Sequence, residues 1–180
     1  EATARAQKVV GKLNSKLSNK EKTKIANIVG IGAVKFFDLS QNRLSDIAFD
    51  WDKMLNLKGA SAPYIQYSYA RIKRVIKKSK INPSSKFKIE LLKEVEELNI
   101  LRHLMHFPEI VEYSALKYEP NHLAEYLLRL AEKINNFYEK VPVLTAEKEI
   151  KNTRLTLINS AATIIKSGMN LLGIEVLERM

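Results

Sequence analysis

The chain has 180 residues, enough for one ordinary domain or for one domain and a piece of another, and it can bury a core without covalent staples. It holds no cysteine, which excludes disulfide scaffolds and thiolate metal sites and fits a cytoplasmic location. Thirty Lys and Arg against twenty Asp and Glu give a formal charge of +10, which favours encounter with a polyanion; a basic surface that is merely solvated is the alternative on composition alone.

Apolar residues recur mostly at intervals of three and four, so the expected fold class is all-α, a bundle of about six or seven helices. No stretch approaches the roughly 18 uninterrupted apolar residues of a membrane span, and no membrane partner is expected. The first helix is predicted over 2–17, from Ala2, Ala6, Val9, Val10 and Leu13. It starts at Glu1 with no apolar leader segment and reads as the interior of a larger protein. A second helix is predicted over 19–39, with Asn19 as N-cap and with Gly30 and Gly32 serving helix packing or a local break. Residues 43–54 are less regular, and alternation around Ile47 and Phe49 allows one short extended segment there.

The turn residues of Asn56-Leu57-Lys58-Gly59-Ala60-Ser61-Ala62-Pro63 divide the chain. They set a helical connecting region, 1–58, before a helical bundle, 59–180. Pro63 suits the first turn of a helix that runs to residue 79. Asn82-Pro83 interrupts, and Ser84 or Ser85 is the expected cap of a helix continuing to about residue 106. Phe107-Pro108 opens a shorter helix, Glu119-Pro120 the next, to about 140, and a loop around Val141-Pro142-Val143-Leu144 leads to a last helix over 147–172 that ends on Gly173.

On the helix after Pro63, Ile65, Tyr69, Ile72 and Ile76 share a core-facing sector, while Tyr64, Tyr67, Arg71, Arg74 and Lys78 form a second stripe nearly opposite. Two aromatics followed by three cations suit single-stranded RNA, whose bases stack on rings while cations neutralise the phosphates. The alternative is two tyrosines packed on a neighbouring helix beside solvated cations. The three histidines, His103, His106 and His122, supply no metal-ligand set. The carboxylate pairs Glu96-Glu97 and Glu147-Glu149 read as solvated helix faces, and no nucleophile, metal or phosphate-loop constellation stands out.

Several segments resemble a known family. Gly32-Ala33-Val34-Lys35-Phe36-Phe37-Asp38-Leu39-Ser40-Gln41-Asn42-Arg43 and Phe49-Asp50-Trp51-Asp52-Lys53-Met54-Leu55 resemble the segment after the catalytic domain of class I arginyl-tRNA synthetases. Ala62-Pro63-Tyr64-Ile65-Gln66-Tyr67-Ser68-Tyr69-Ala70-Arg71-Ile72 is similar to the opening helix of their DALR anticodon-binding domain. The likeness continues through Glu119-Pro120-Asn121-His122-Leu123, Asn136-Phe137-Tyr138, Arg154-Leu155-Thr156-Leu157, Leu171-Leu172-Gly173-Ile174 and Glu178-Arg179-Met180. It departs at Ala60, where many relatives carry Asn, and over 77–111 only the helical pattern matches.

The resemblance implies that residues 1–58 are the end of the catalytic and stem-contact region and lean on the inner bend of a tRNA. It implies that 59–180 hold the anticodon loop of tRNA(Arg). The residues that meet the anticodon fall by this match on Tyr64, Tyr67, Arg71 and Met180. ATP with Mg, and the joining of arginine to tRNA, belong by the same resemblance to an upstream catalytic domain. Its His-Ile-Gly-His and Lys-Met-Ser-Lys-Ser signatures are missing from this sequence, so the chain alone is expected to be inactive and to have no cofactor. The rival reading is a basic helical protein-interaction module with an acidic partner.

Overall fold

A computed structural model describes residues 1–13, 18–83 and 87–180, and among them there is no strand. Eight α-helices follow in order: α1 (Ala2–Leu13), α2 (Asn19–Leu39), α3 (Trp51–Met54), α4 (Ala62–Ser79), α5 (Val95–Met105), α6 (Phe107–Lys117), α7 (Pro120–Lys140) and α8 (Lys148–Leu171). A 3-10 turn, Ile89–Leu91, precedes α5. The all-α expectation holds, and residues 47–49 are irregular rather than paired in a sheet.

Two local expectations are corrected. Ser18, not Asn19, caps α2: its hydroxyl accepts from Glu21 N–H while the Glu21 carboxylate accepts from Ser18 N–H, a reciprocal box that satisfies two donors with no partner inside the helix. The helix expected to run on to residue 106 is broken, because only the 3-10 turn forms before α5 starts at Val95 behind Glu94. The proposed caps Ser84 and Ser85 lie outside the described residues.

α4, α5, α7 and α8 pack on one another around Ile65, Ile100, Leu127, Leu130, Ile134, Phe137, Leu155 and Ile165, with α6 laid on α5 and α7. Fully burying each such side chain stabilises by about 1.5–3 kcal/mol, so this cluster dominates the fold. α1 and α2, with Leu55 just after α3, make a smaller cluster from Ala6, Val10, Ile25, Ala26, Val29, Ala33 and Leu55. α2 joins the two, since Phe36 belongs to the larger one.

The glycines of α2 serve packing, not a break. A Cβ on Gly30 would come within 2.9 Å of the α1 backbone, and one on Gly32 within 3.1 Å of the Gln66 amide and 3.0 Å of Ile174. At the other end of the chain Gly173, at φ 68°, turns the polypeptide out of α8, and Ile174 N–H closes the turn on Met169 C=O at 2.9 Å. The tail then runs back along α2 and α4. Lys35 Nζ donates to Gly173 C=O at 2.6 Å and the buried Gln66 amide donates to Glu175 C=O at 2.8 Å.

Candidate nucleic-acid interface

α4 places its two stripes as their spacing requires. Ser61 caps it by accepting from Tyr64 N–H, and Pro63 sits in the first turn, where no intrahelical donor is lost. Ile65, Tyr69 and Ile72 are buried on one side with Ile76 partly so. On the other side Tyr64, Tyr67 and Arg71 are half-buried, and Arg74 and Lys78 are exposed.

Arg71 is the centre of the site. Its guanidinium lies between two tyrosine rings, 4.8 Å from the Tyr67 centroid and 4.7 Å from that of Tyr138 on α7. Arg71 Nη1 donates to Asn135 Oδ1 at 2.7 Å, Asn135 Nδ2 donates to Ser68 Oγ at 2.9 Å, and Ser68 Oγ donates to Tyr64 C=O at 2.9 Å. Asn135 and Ser68 are both buried, so this chain of bonds is shielded from water and fixes the arginine's plane. Tyr67 and Arg71 meet because they are four apart on α4; Asn135 and Tyr138 reach them because they are three apart on α7.

The stack forms one side of a groove of about 1350 Å³. Tyr67, Arg71, Lys73, Arg74, Lys77 and Lys78 line it from α4, Tyr138 and residues 141–145 from the other side, and Glu178, Arg179 and Met180 from the tail. Six Lys and Arg side chains therefore face one acidic side chain, Glu178, whose Oε1 is 3.6 Å from Lys73 Nζ. A concave surface of that sign concentrates polyanions. The exposed part of each ring adds a flat apolar face for a base.

Of the sequence-predicted residues, the groove brings together Tyr67, Arg71, Arg74, Lys78 and Met180, the last more than a hundred positions from the rest. Met180 is half-buried against the α1–α2 cluster. Tyr64 does not line the groove and packs against the larger core. Sequence reasoning missed Tyr138 and Asn135 as members of the site. The available signal was their place just off the Ile134 and Phe137 core stripe of α7, but only α4 packed opposite gives them partners.

The other candidate side chains are accounted for by packing. His103 stacks on Tyr126 at 4.2 Å, its Nε2 is 3.0 Å from Tyr126 C=O, and the Tyr126 hydroxyl donates to His103 C=O at 2.8 Å. Burial holds this imidazole below its usual value, partly offset by the Tyr126 carbonyl. His106 pairs with Glu109, and His122 with Glu119 and the edge of Tyr113. Glu97, expected on a solvated face, is instead fully buried against Arg154. No group of three or more His, Asp or Glu converges on a metal-sized site among the described residues. None of their helices is long and apolar enough to cross a membrane.

Comparison with known proteins gives two family matches. The DALR anticodon binding domain matches residues 65–180, and the catalytic domain of class I tRNA synthetases (R) matches residues 1–51. The arginine–tRNA ligase of Fusobacterium nucleatum is 41% identical over 182 residues, and that of Actinobacillus succinogenes 41% over 180. Both alignments take in all of this chain but only 32% and 31% of the relative, so the chain spans about a third of their length. Among solved structures, the Thermus thermophilus arginyl-tRNA synthetase superposes with a TM-score of 0.92 at 30% identity, over 99% of this chain and 31% of that one. The Plasmodium falciparum arginyl-tRNA synthetase gives 0.86 at 31% identity, over 99% and 32%. With the family's domain extending over 65–180 and the same helical architecture in these structures, the chain belongs to the DALR anticodon binding domain family.

Proposed function

We propose that this chain is the tRNA-binding part of an arginine–tRNA ligase and that it holds the anticodon loop of tRNA(Arg) in the groove between α4, α7 and the tail. The observation that carries the reading is Arg71 clamped between Tyr67 and Tyr138 in a groove lined by five further cations. Bases stack on the outer faces of the two rings and Arg74 and Lys78 meet phosphates. Met180 closes the groove from the tail side, and Tyr64 offers the exposed part of its ring at the margin.

The division of labour is part of the proposal. Residues 59–180 bind the anticodon arm, and residues 1–58 are the end of a catalytic and stem-contact region. Two separate core clusters joined through α2 support that boundary. Arginine activation with ATP and Mg is assigned to catalytic-domain sequence beyond these residues. Such a protein works in the cytoplasm, where tRNA is charged.

The test is binding of the chain to tRNA(Arg) and to a tRNA for another amino acid across a range of salt concentrations. Preference for tRNA(Arg) that Tyr67→Ala removes supports the reading. Equal binding of both RNAs, insensitive to Tyr67→Ala, overturns it in favour of a generic basic surface.

A further inference from the structure

The wall of the groove opposite α4 is a stretch without helix, residues 141–145, between α7 and α8. Val141 and Val143 turn inward and are buried in the larger core, which leaves the Pro142 carbonyl between them in need of a donor. Arg154 of α8 supplies it, Nη1 to Pro142 C=O at 2.7 Å. The same guanidinium donates through Nε to Glu97 Oε1 at 2.5 Å, and Glu97 Oε2 accepts from Lys93 and Glu94 N–H at 2.8 and 2.9 Å. The Glu97 side chain is fully buried and that of Arg154 is 10% exposed. Next to it, Glu96 accepts from Lys140 Nζ at 2.8 Å, at the end of α7 where the wall begins. Adjacent carboxylates on the first turn of α5 thus tie the wall at its start and, through Arg154, at its middle.

Removing two charges from water costs about what their attraction returns, so a buried pair of this kind is poorly explained by stability alone. What an apolar pair could not do is carry a planar donor to a carbonyl in the wall. We infer that Glu97 and Arg154 are positioning residues for the groove: Glu97 orients the Arg154 guanidinium, and Arg154 fixes residues 141–145 at the distance from α4 that RNA requires. This rests on the proposed function of the groove.

The experiment uses Arg154→Lys, which keeps the charge beside Glu97 but lacks the fork that reaches both partners. Ile100→Val on α5, a buried core change at a residue that does not line the groove, serves as a control. Affinity for the anticodon stem-loop of tRNA(Arg) is measured across salt, and amide hydrogen exchange is followed at Leu144 and Thr145 without RNA. The expected result for Arg154→Lys is about ten-fold weaker binding, at the low end for a lost stacking contact, with an unchanged salt dependence. Leu144 and Thr145 should exchange faster than in Ile100→Val at equal global stability. Glu97→Gln, which keeps an acceptor for the two N–H groups, should act in the same direction and serves if Arg154→Lys does not fold. Wild-type affinity together with a Tyr67→Ala loss overturns the positioning role and leaves the RNA reading standing. If Tyr67→Ala has no effect, the RNA reading fails and hydrogen exchange alone decides: unchanged rates at 144 and 145 overturn the positioning role too.

Discussion

Among the described residues two arginines lie over aromatic rings, Arg71 over Tyr67 and Tyr138 and Arg5 over Trp51, and they are held in different ways. Arg71 is tied through buried Asn135 and Ser68 to the backbone of its own helix, and its rings border a groove full of cations. Arg5 sits 5.1 Å from the Trp51 ring and pairs with Glu1 four residues away, both side chains about half exposed. The rings near it, Phe37, Phe49 and Trp51, lean edge-on against one another. An arginine on a ring is therefore not a site by itself. A second layer that locks the arginine, and a concave surface beside it, separate a binding arrangement from surface packing.

The largest expected difference between the two clusters is in RNA binding. Tyr67→Ala should weaken binding of the anticodon stem-loop by ten-fold to a hundred-fold, about 1–3 kcal/mol for a lost stacked base, whereas Phe49→Ala should leave it within a factor of about two. Titration of both variants with the labelled stem-loop measures this. Equal losses would erase the distinction between the clusters.

Next comes the locking layer. Asn135→Ala leaves Arg71 without its acceptor and Ser68 without its donor, at a cost of about 1–3 kcal/mol for groups left unpaired in a buried setting. In a chain of this size that is a fall in Tm of several degrees. RNA affinity should fall with it, because Arg71 is then free to leave the stack. A variant that melts lower but binds RNA as before would show that the lock serves folding only.

A smaller and different effect is expected outside the stack. Arg74→Ala or Lys78→Ala should weaken binding to every tRNA alike and shallow the salt dependence by about one counterion, with selectivity kept. Loss of selectivity at constant nonspecific affinity would assign these side chains to bases instead.

How much of this could be read from the sequence follows the same division. The α4 stripe was legible because a single helix imposes it: Tyr67, Arg71, Arg74 and Lys78 share a face whatever lies opposite. Met180 came only from the family likeness, since nothing local marks a chain end as part of a site. The Ser18 cap is written in Ser18-Asn19-Lys20-Glu21, where the Ser and the Glu three residues on form the capping box that Asn19 cannot. The break before α5 was not visible because residues 87–94 carry helix-compatible residue types, and the use of their backbone donors depends on Glu97 being buried by an arginine 57 residues on. The same long-range partner explains why Glu97 was misread. A carboxylate's burial is decided by the arginine that meets it, and Arg154 is remote in sequence.

The smallest effect expected is at Arg5, and it is the cleanest control on the comparison. Lysine keeps the charge but not the flat, stackable guanidinium, so Arg5→Lys and Arg71→Lys remove the same chemistry from the two clusters. At Arg5 the ring contact is exposed and worth about 0.5–1 kcal/mol at most, part of which a lysine over Trp51 retains. The pair with Glu1 is an exposed four-residue helix pair of about 0.3–0.5 kcal/mol that lysine preserves. Arg5→Lys should thus move Tm by no more than about two degrees and leave stem-loop binding unchanged. At Arg71 the ammonium cannot fill the space between two rings and also reach Asn135 in plane, so binding should fall measurably while the charge of the groove stays the same. If the two lysine variants behave alike, charge rather than the stacked guanidinium is what the groove uses, and the contrast between the clusters loses its physical basis.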